Sequence, residues 1–321
     1  MEMTMTDKIN SINIEDQAAV FKAAEQKGKQ ASLPGSVADL QLKKPIKLIV
    51  SDVDGTLVDT HKHVSDETVA AVKAAMARGI TVAVASGRAW GEMGEVIHRI
   101  PEIHHYICSN GALVLKRDGG ETTTVFHQSF SNAEGLRLLD ELLPFDVYIE
   151  AYGGKEIYGE TEGMMAFASN LPPHLVPLMK ASRTMVPNLR DHIVDTGMDL
   201  EKIQLFYGTE AKKNAILEHF KEDDRFVIIQ SSEGNLEFVQ PGISKGRAVA
   251  ALAESLGFTA DEVMTIGDSN NDLTMLAYAG VSFAMMNGEA TAKATAKFLA
   301  PTNDEDGVAQ MIRLVLRAEE K

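Results

Sequence analysis

The chain has 321 residues, enough for one large core or for two domains of ordinary size. It is 45% hydrophobic and 24% charged, with 31 basic and 46 acidic residues and a formal charge of -15. Such a balance marks a globular protein, disfavours nucleic acid as a partner and offers anionic ligands no long-range attraction.

Residues 1–44 read as an N-terminal extension with two short helical candidates and no assigned role. They show neither a secretory apolar segment nor an Arg-rich transit pattern, and a cytoplasmic location is the expectation. No apolar run approaches the roughly 18 residues of a membrane span, so no membrane partner is expected. An apolar-rich strand over 46–51 ends at Asp52. Ser65 then caps a helix over 66–78, with Val69, Val72 and Met76 as its apolar stripe and Gly79 as its stop. A second strand over 80–85 runs into Ser86-Gly87-Arg88. A helix over 89–99 precedes a third strand at 106–108, which carries Cys108, and then the turn Ser109-Asn110-Gly111. Cys108 is the only cysteine; this excludes an intrachain disulfide, and its apolar neighbours assign it to core packing. Buried strands alternating with helices imply a parallel α/β sheet.

The middle third changes character. Leu136, Leu139 and Leu142–Leu143 mark a helix, followed by strands at 146–151 and 155–158 connected through Gly153-Gly154. A strand at 203–207 leads to a helix over 211–220. Two more strands, 226–230 and 236–239, flank Glu233-Gly234-Asn235. This pattern predicts an inserted α+β domain over 130–238 with a partly antiparallel sheet. The parallel pattern returns with a helix over 246–255, strands at 263–266 and 281–285, and a terminal helix over 307–318. The fold class is therefore α/β, with a discontinuous core of residues 45–129 and 239–321 interrupted by the 130–238 insertion.

Ligands of open α/β sheets lie beyond the carboxyl ends of the strands, and the polar residues of interest stand at those ends. Asp52 and Asp54, spaced i,i+2 after the first strand, can turn both carboxylates toward the mouth of the sheet, as a nucleophile beside a general acid/base. Gly55 and Thr56 permit a sharp departure from the strand. The Ser86 hydroxyl and the N–H groups around Gly87 are suited to phosphate oxygens. Lys245 supplies the cation that would neutralise an attacking carboxylate and a transferring phosphoryl group. Asp268, in Gly267-Asp268-Ser269-Asn270-Asn271-Asp272, completes a candidate Mg²⁺ site with Asp52 and a backbone oxygen of Asp54. Asp272 either binds water in the metal shell or orients Lys245, and Asn271 positions the loop.

Taken together, Asp52-Val53-Asp54-Gly55-Thr56-Leu57, Ser86-Gly87-Arg88, Lys245-Gly246 and Gly267–Asp272 resemble the motifs of the haloacid-dehalogenase-like hydrolases, in particular the Cof-type phosphatases with a large inserted cap. Ser109-Asn110-Gly111-Ala112 is similar to a recurrent turn of that subgroup. Met285-Met286-Asn287-Gly288 departs slightly from it, because alanine is commoner after the asparagine. The resemblance covers about residues 45–319. It implies a Rossmann-like core with a cap, Asp52 as nucleophile, Asp54 as acid/base, Ser86 and Lys245 on phosphate, and Asp268 on metal. The expected activity is Mg²⁺-dependent hydrolysis of a small phosphorylated metabolite, with sugar phosphates ahead of nucleotide or flavin phosphates. A phosphosugar mutase and a phospho-accepting signalling domain are the alternatives. Oligomeric state is not legible.

Overall fold

The computed structural model describes residues 35–168, 175–230 and 234–319, together with 19, 20, 22, 23 and 26. The two helical candidates before residue 35 lie almost wholly outside the described residues, as does Glu233.

The first segment comprises β1 (Leu48–Ser51), α1 (Asp66–Ala77), β2 (Thr81–Ala85), α2 (Gly94–Arg99), β3 (His105–Cys108), β4 (Leu113–Asp118) and β5 (Glu121–His127). The middle segment contains α3 (Asn132–Leu142), β6 (Tyr148–Gly153), β7 (Glu156–Glu160), α4 (Thr161–Ala168), α5 (Leu175–Ser182), β8 (Thr184–Val186), α6 (Leu189–Thr196), β9 (Lys202–Phe206), α7 (Glu210–His219), β10 (Val227–Ile229) and β11 (Asn235–Val239). The last comprises α8 (Lys245–Ser255), β12 (Val263–Gly267), α9 (Leu273–Tyr278), β13 (Val281–Met285), α10 (Ala290–Thr295), β14 (Phe298–Ala300) and α11 (Gly307–Ala318). Among the described residues no helix is long and apolar enough to cross a membrane.

The chain divides into two compact units. One comprises Met1–Gly87, Met93–Phe126 and Gly242–Lys321; the other Arg88–Glu92 and His127–Pro241. In the first, an eight-stranded sheet runs β14-β13-β12-β1-β2-β3-β4-β5. It is parallel from β14 to β3 and antiparallel between β3 and β4. All four residues of β1 are buried, as the continuous apolar run requires of a strand covered on both faces. The Ser65 hydroxyl caps α1 by accepting from Thr68 N at 3.1 Å. The buried face of α1 differs from the expected stripe: it is Thr68, Ala71, Val72 and Ala75, with Val69 and Met76 only half-buried. Small side chains on that face allow α1 to pack closely on α11.

The second unit is built on a six-stranded sheet, β10-β11-β9-β6-β7-β8. Its pairs are antiparallel except for β7 with β8. Strand alternation separates two faces. Ile149, Ala151, Ile203, Leu205, Leu236 and Phe238 join the apolar core under α3, α6 and α7. Glu150, Tyr152, Lys202, Gln204 and Glu237 occupy the alternate positions and are buried too. Their charges are paired: Lys202 Nζ lies 2.9 Å from Glu237 Oε1, and Arg183 Nε 2.9 Å from Glu150 Oε1.

Candidate active site

The registers Ser51↔Val84 and Ser51↔Ile266 bring the carboxyl ends of β2, β1 and β12 level. Asp52 follows β1 directly, Ser86 follows β2, and Asp268 follows β12. Asp52 N donates to Ile266 O at 2.9 Å, which continues the ladder one residue beyond the strand. Lys245 is the first residue of α8, whose N-cap Ser244 accepts from Arg247 N. Gly246 lets this helix start lie against α9: a Cβ there would sit 2.5 Å from the Thr274 carbonyl carbon. Gly246 N also donates to Thr274 Oγ1 at 3.0 Å.

These elements bring Lys245 Nζ to 2.7 Å from Asp52 Oδ1 and 2.6 Å from Asp272 Oδ1. Lys245 and Asp272 have no solvent exposure, and Asp52 only 4%. Asp272 is further committed through its other oxygen, which accepts the N–H groups of Asp268 and Ser269 at 2.8 and 3.0 Å. It therefore orients Lys245 and closes its own loop. Asp268 Oδ1 accepts from the Thr56 hydroxyl at 2.9 Å.

Asp52, Asp268 and Asp272 each offer a carboxylate oxygen, all within 4.8 Å of one another. Burial pushes the Asp52 carboxyl well up, with Lys245 opposing and the Asp272 and Asp268 carboxylates adding to the rise. Asp268 is pushed up to about 7, first by burial and then by Asp272. Burial works against the Lys245 ammonium, yet Asp272 and Asp52 outweigh it and hold the proton on. Fully ionised, three carboxylates would face one ammonium and leave two negative charges in a desolvated site, which is why the Asp52 and Asp268 carboxyls are raised. That deficit equals the charge of one divalent cation, and the all-oxygen donor set suits a hard one.

The remaining predicted residues stand around this centre. Asp54 is less buried: its side chain is 41% exposed, and Lys62 Nζ donates to its Oδ1 at 2.7 Å. Ser86 is buried at the end of β2, and Asn271 Nδ2 lies 3.6 Å from where a Gly87 Cβ would stand. Three residues without an assigned role brace the loops. Thr56 holds Asp268, Asn110 Oδ1 accepts from Asn271 Nδ2 at 3.0 Å, and Asn287 Nδ2 donates to Gly55 O at 2.8 Å. Gly55 adopts φ +77°, and a Cβ there would lie 2.6 Å from Asp268 Oδ2. A Cβ at Gly288 would lie 2.6 Å from Asp268 O. Asn287 and Gly288 belong to the late turn noted in the sequence, and their signal was an Asn-Gly pair at a strand end.

A parallel α/β core with this carboxylate and lysine centre at its strand ends is that of a haloacid-dehalogenase-like hydrolase. The sequence profile of that family matches residues 49–312, and the chain belongs to it. Within the family it is a Cof-type enzyme of the phosphatase class. It is 29% identical over 270 residues to the 5-amino-6-(5-phospho-D-ribitylamino)uracil phosphatase YcsE of Bacillus subtilis, covering 84% of this chain and 95% of that one. It is 27% identical over 288 residues to the phosphatase YwpJ of the same organism, covering 84% and 100%. The solved structure of a haloacid dehalogenase-like hydrolase from B. subtilis superposes with a TM-score of 0.75 at 27% identity, over 84% of this chain and 99% of that chain.

Proposed function

We propose that the protein hydrolyses small phosphate monoesters, with phosphorylated sugars and sugar alcohols as its substrate class, through a phospho-aspartate on Asp52. The observation that carries this reading is the buried Lys245 ammonium bridging Asp52 and Asp272 beside Asp268. An Asp52 oxygen attacks phosphorus, the ester P–O bond breaks, and Asp54 gives its proton to the departing alkoxide. Water then attacks phosphorus of the phospho-aspartate, Asp54 takes the water's proton, and the Asp52 O–P bond breaks to restore the carboxylate and release inorganic phosphate. The Ser86 hydroxyl, the Gly87 N–H and Lys245 bind the phosphoryl oxygens, while Asp272 orients Lys245 and Asn271 holds the loop.

Asp52, Asp268 and the backbone oxygen of Asp54 are the groups that would hold Mg²⁺. When bound, the ion supplies positive charge for the phosphoryl oxygens. The substrate class is supported by the relatives YcsE and the Escherichia coli YbjI, both named for a ribityl phosphate. In the same reading, residues 130–238 are the inserted cap to which substrate selection is assigned. A cytoplasmic setting fits the single, buried Cys108. The test is phosphate release from a panel of sugar, polyol, nucleotide and protein phosphates with Mg²⁺, run beside Asp52→Asn. Turnover is expected with the small esters and none with the variant. A folded Asp52→Asn enzyme at full rate would sink the mechanism, and phosphoprotein turnover above every small ester would sink the substrate class.

A further inference from the structure

The turn that follows β3 has an unusual backbone. Ser109, Asn110 and Gly111 adopt φ of +50°, +57° and +103° in succession. Side chains with a Cβ rarely occupy this region, asparagine tolerating it better than most. Ser109 and Asn110 are fully buried, and such a conformation persists only where its surroundings over-determine it.

Those surroundings are the loops that carry the site. Asn110 N donates to Ser86 O at 3.0 Å. Its side-chain carbonyl accepts from Asn271 Nδ2 at 3.0 Å, and Asn271 Oδ1 accepts in turn from Ser269 Oγ at 2.7 Å. Gly87 leaves room for that amide: a Cβ there would stand 3.1 Å from Asn110 Oδ1. Gly111 comes closer still to the third loop, where a Cβ would stand 2.6 Å from the carbonyl oxygen of Ser244, the cap of the helix that begins with Lys245. One turn thus touches the loop of Ser86, the loop of Asp272 and the start of the Lys245 helix. A plug that merely filled space would be apolar. A buried asparagine whose backbone N–H joins one loop and whose side-chain amide joins another fixes their relative placement.

We propose that Asn110 is a positioning residue for the reaction at Asp52. It locks the Ser86–Gly87 loop to the Ser269–Asp272 loop through Asn271, and so holds the phosphate-binding groups in register with the Asp272–Lys245–Asp52 chain. This inference rests on the phosphatase reading of the site given above.

Asn110→Gly isolates the side chain, because glycine adopts the left-handed turn at no steric cost. The measurement is kcat and KM for p-nitrophenyl phosphate with Mg²⁺, at a temperature where circular dichroism shows every variant folded. Asn110→Gly should lower kcat by about 10–100-fold, the scale of a misplacement near 1 Å, while KM changes far less. Asn271→Ala, which leaves the turn intact, should show a similar loss. The double variant should be no worse than the poorer single one, since both remove the same link. A wild-type kcat in folded Asn110→Gly would overturn the proposal, as would losses that multiply in the double variant. Asp52→Asn separates the two levels. If it is inactive while Asn110→Gly runs at full rate, only the positioning role fails. If it turns over normally, the phosphatase reading fails first.

Discussion

Replacing Lys245 with Met keeps the shape of the side chain and removes the ammonium that, among the described residues, pairs with both Asp52 and Asp272. Its two contacts, at 2.7 and 2.6 Å, are each worth about 6 kcal/mol of Coulomb energy at an effective dielectric near 20. Desolvation of all three groups offsets much of that. The cost of leaving the partners buried without a cation is about 3–5 kcal/mol. For a unit of this size that lowers the thermal midpoint by roughly 6–20 °C. The sign of the pH dependence follows from the carboxyls. Asp52 is already raised in the folded protein, and losing Lys245 raises it further. The folded variant then holds a proton that the unfolded chain releases, so its stability falls as pH rises through the folded pKa and recovers as pH falls. Thermal unfolding followed by circular dichroism, with EDTA present, should show a deficit against wild type that is large at pH 8 and smaller at pH 5.5. An unchanged midpoint, or the same deficit at both pH values, would refute the reasoning.

Gly55→Ala forces a Cβ into a left-handed residue 2.6 Å from Asp268 Oδ2; turnover should fall by up to about 100-fold and need more Mg²⁺ for half-maximal rate, as a titration of rate against metal would show. Asp54→Asn should slow hydrolysis of alkyl phosphates by about 10²–10⁴-fold but p-nitrophenyl phosphate much less, because that leaving group needs no proton. Its half-exposed side chain predicts an unchanged unfolding midpoint. Asp268, at about 7, must lose its proton to bind a cation. Calorimetry should therefore show Mg²⁺ affinity weakening by up to about tenfold per unit below pH 7, and a flat profile would contradict the assignment.

The strands that end at the site were legible because burial on both faces makes them continuous apolar runs. The expected strand over 281–285 and helix over 307–318 coincide with β13 and α11. Short or exposed elements were not legible. β5 is Thr-rich and largely exposed, and α9 and α10 have six residues each, too few for a helical period to register. Asp118-Gly119-Gly120 nonetheless carried a hairpin signal, since both glycines take positive φ between β4 and β5. On α1 only Val72 of the expected stripe is fully buried, because close packing on α11 centres the buried face on the neighbouring alanines. In the site, Asp52 and the Asp268–Asp272 loop announced themselves by residue type at strand ends, and Lys245, at the start of α8, gained meaning only beside them. Thr56, Asn110 and Asn287 stood in recognisable turns, but their partners were not legible. Thr56 bonds a residue 212 positions away, Asn110 one 161 away and Asn287 one 232 away, and no local pattern encodes such a partner.

The electrostatics of the centre constrain how substrate can bind. A chain of formal charge -15 repels a phosphate dianion, and its buried carboxylates outnumber the one ammonium among them. Two of the three Lys245 N–H donors go to Asp52 and Asp272, so a phosphoryl oxygen can take the third but gains little net attraction from a charge already shared. In the proposed reaction a divalent cation would remove the deficit and supply the missing attraction, coupling the two ligands: the factor by which cation tightens substrate must equal the factor by which substrate tightens cation. The glycines show how the centre is kept small enough for that coupling. A Cβ at Gly55 would lie 2.6 Å from Asp268 Oδ2 and one at Gly267 2.7 Å from Asp272 Oδ2, so bare backbone closes against both carboxylates, while Gly288 lies as close to the Asp268 backbone carbonyl. Bulkier residues at Gly55 or Gly267 would separate the charges, relieve the repulsion that the proposed cation would offset, and are expected to weaken both affinities together.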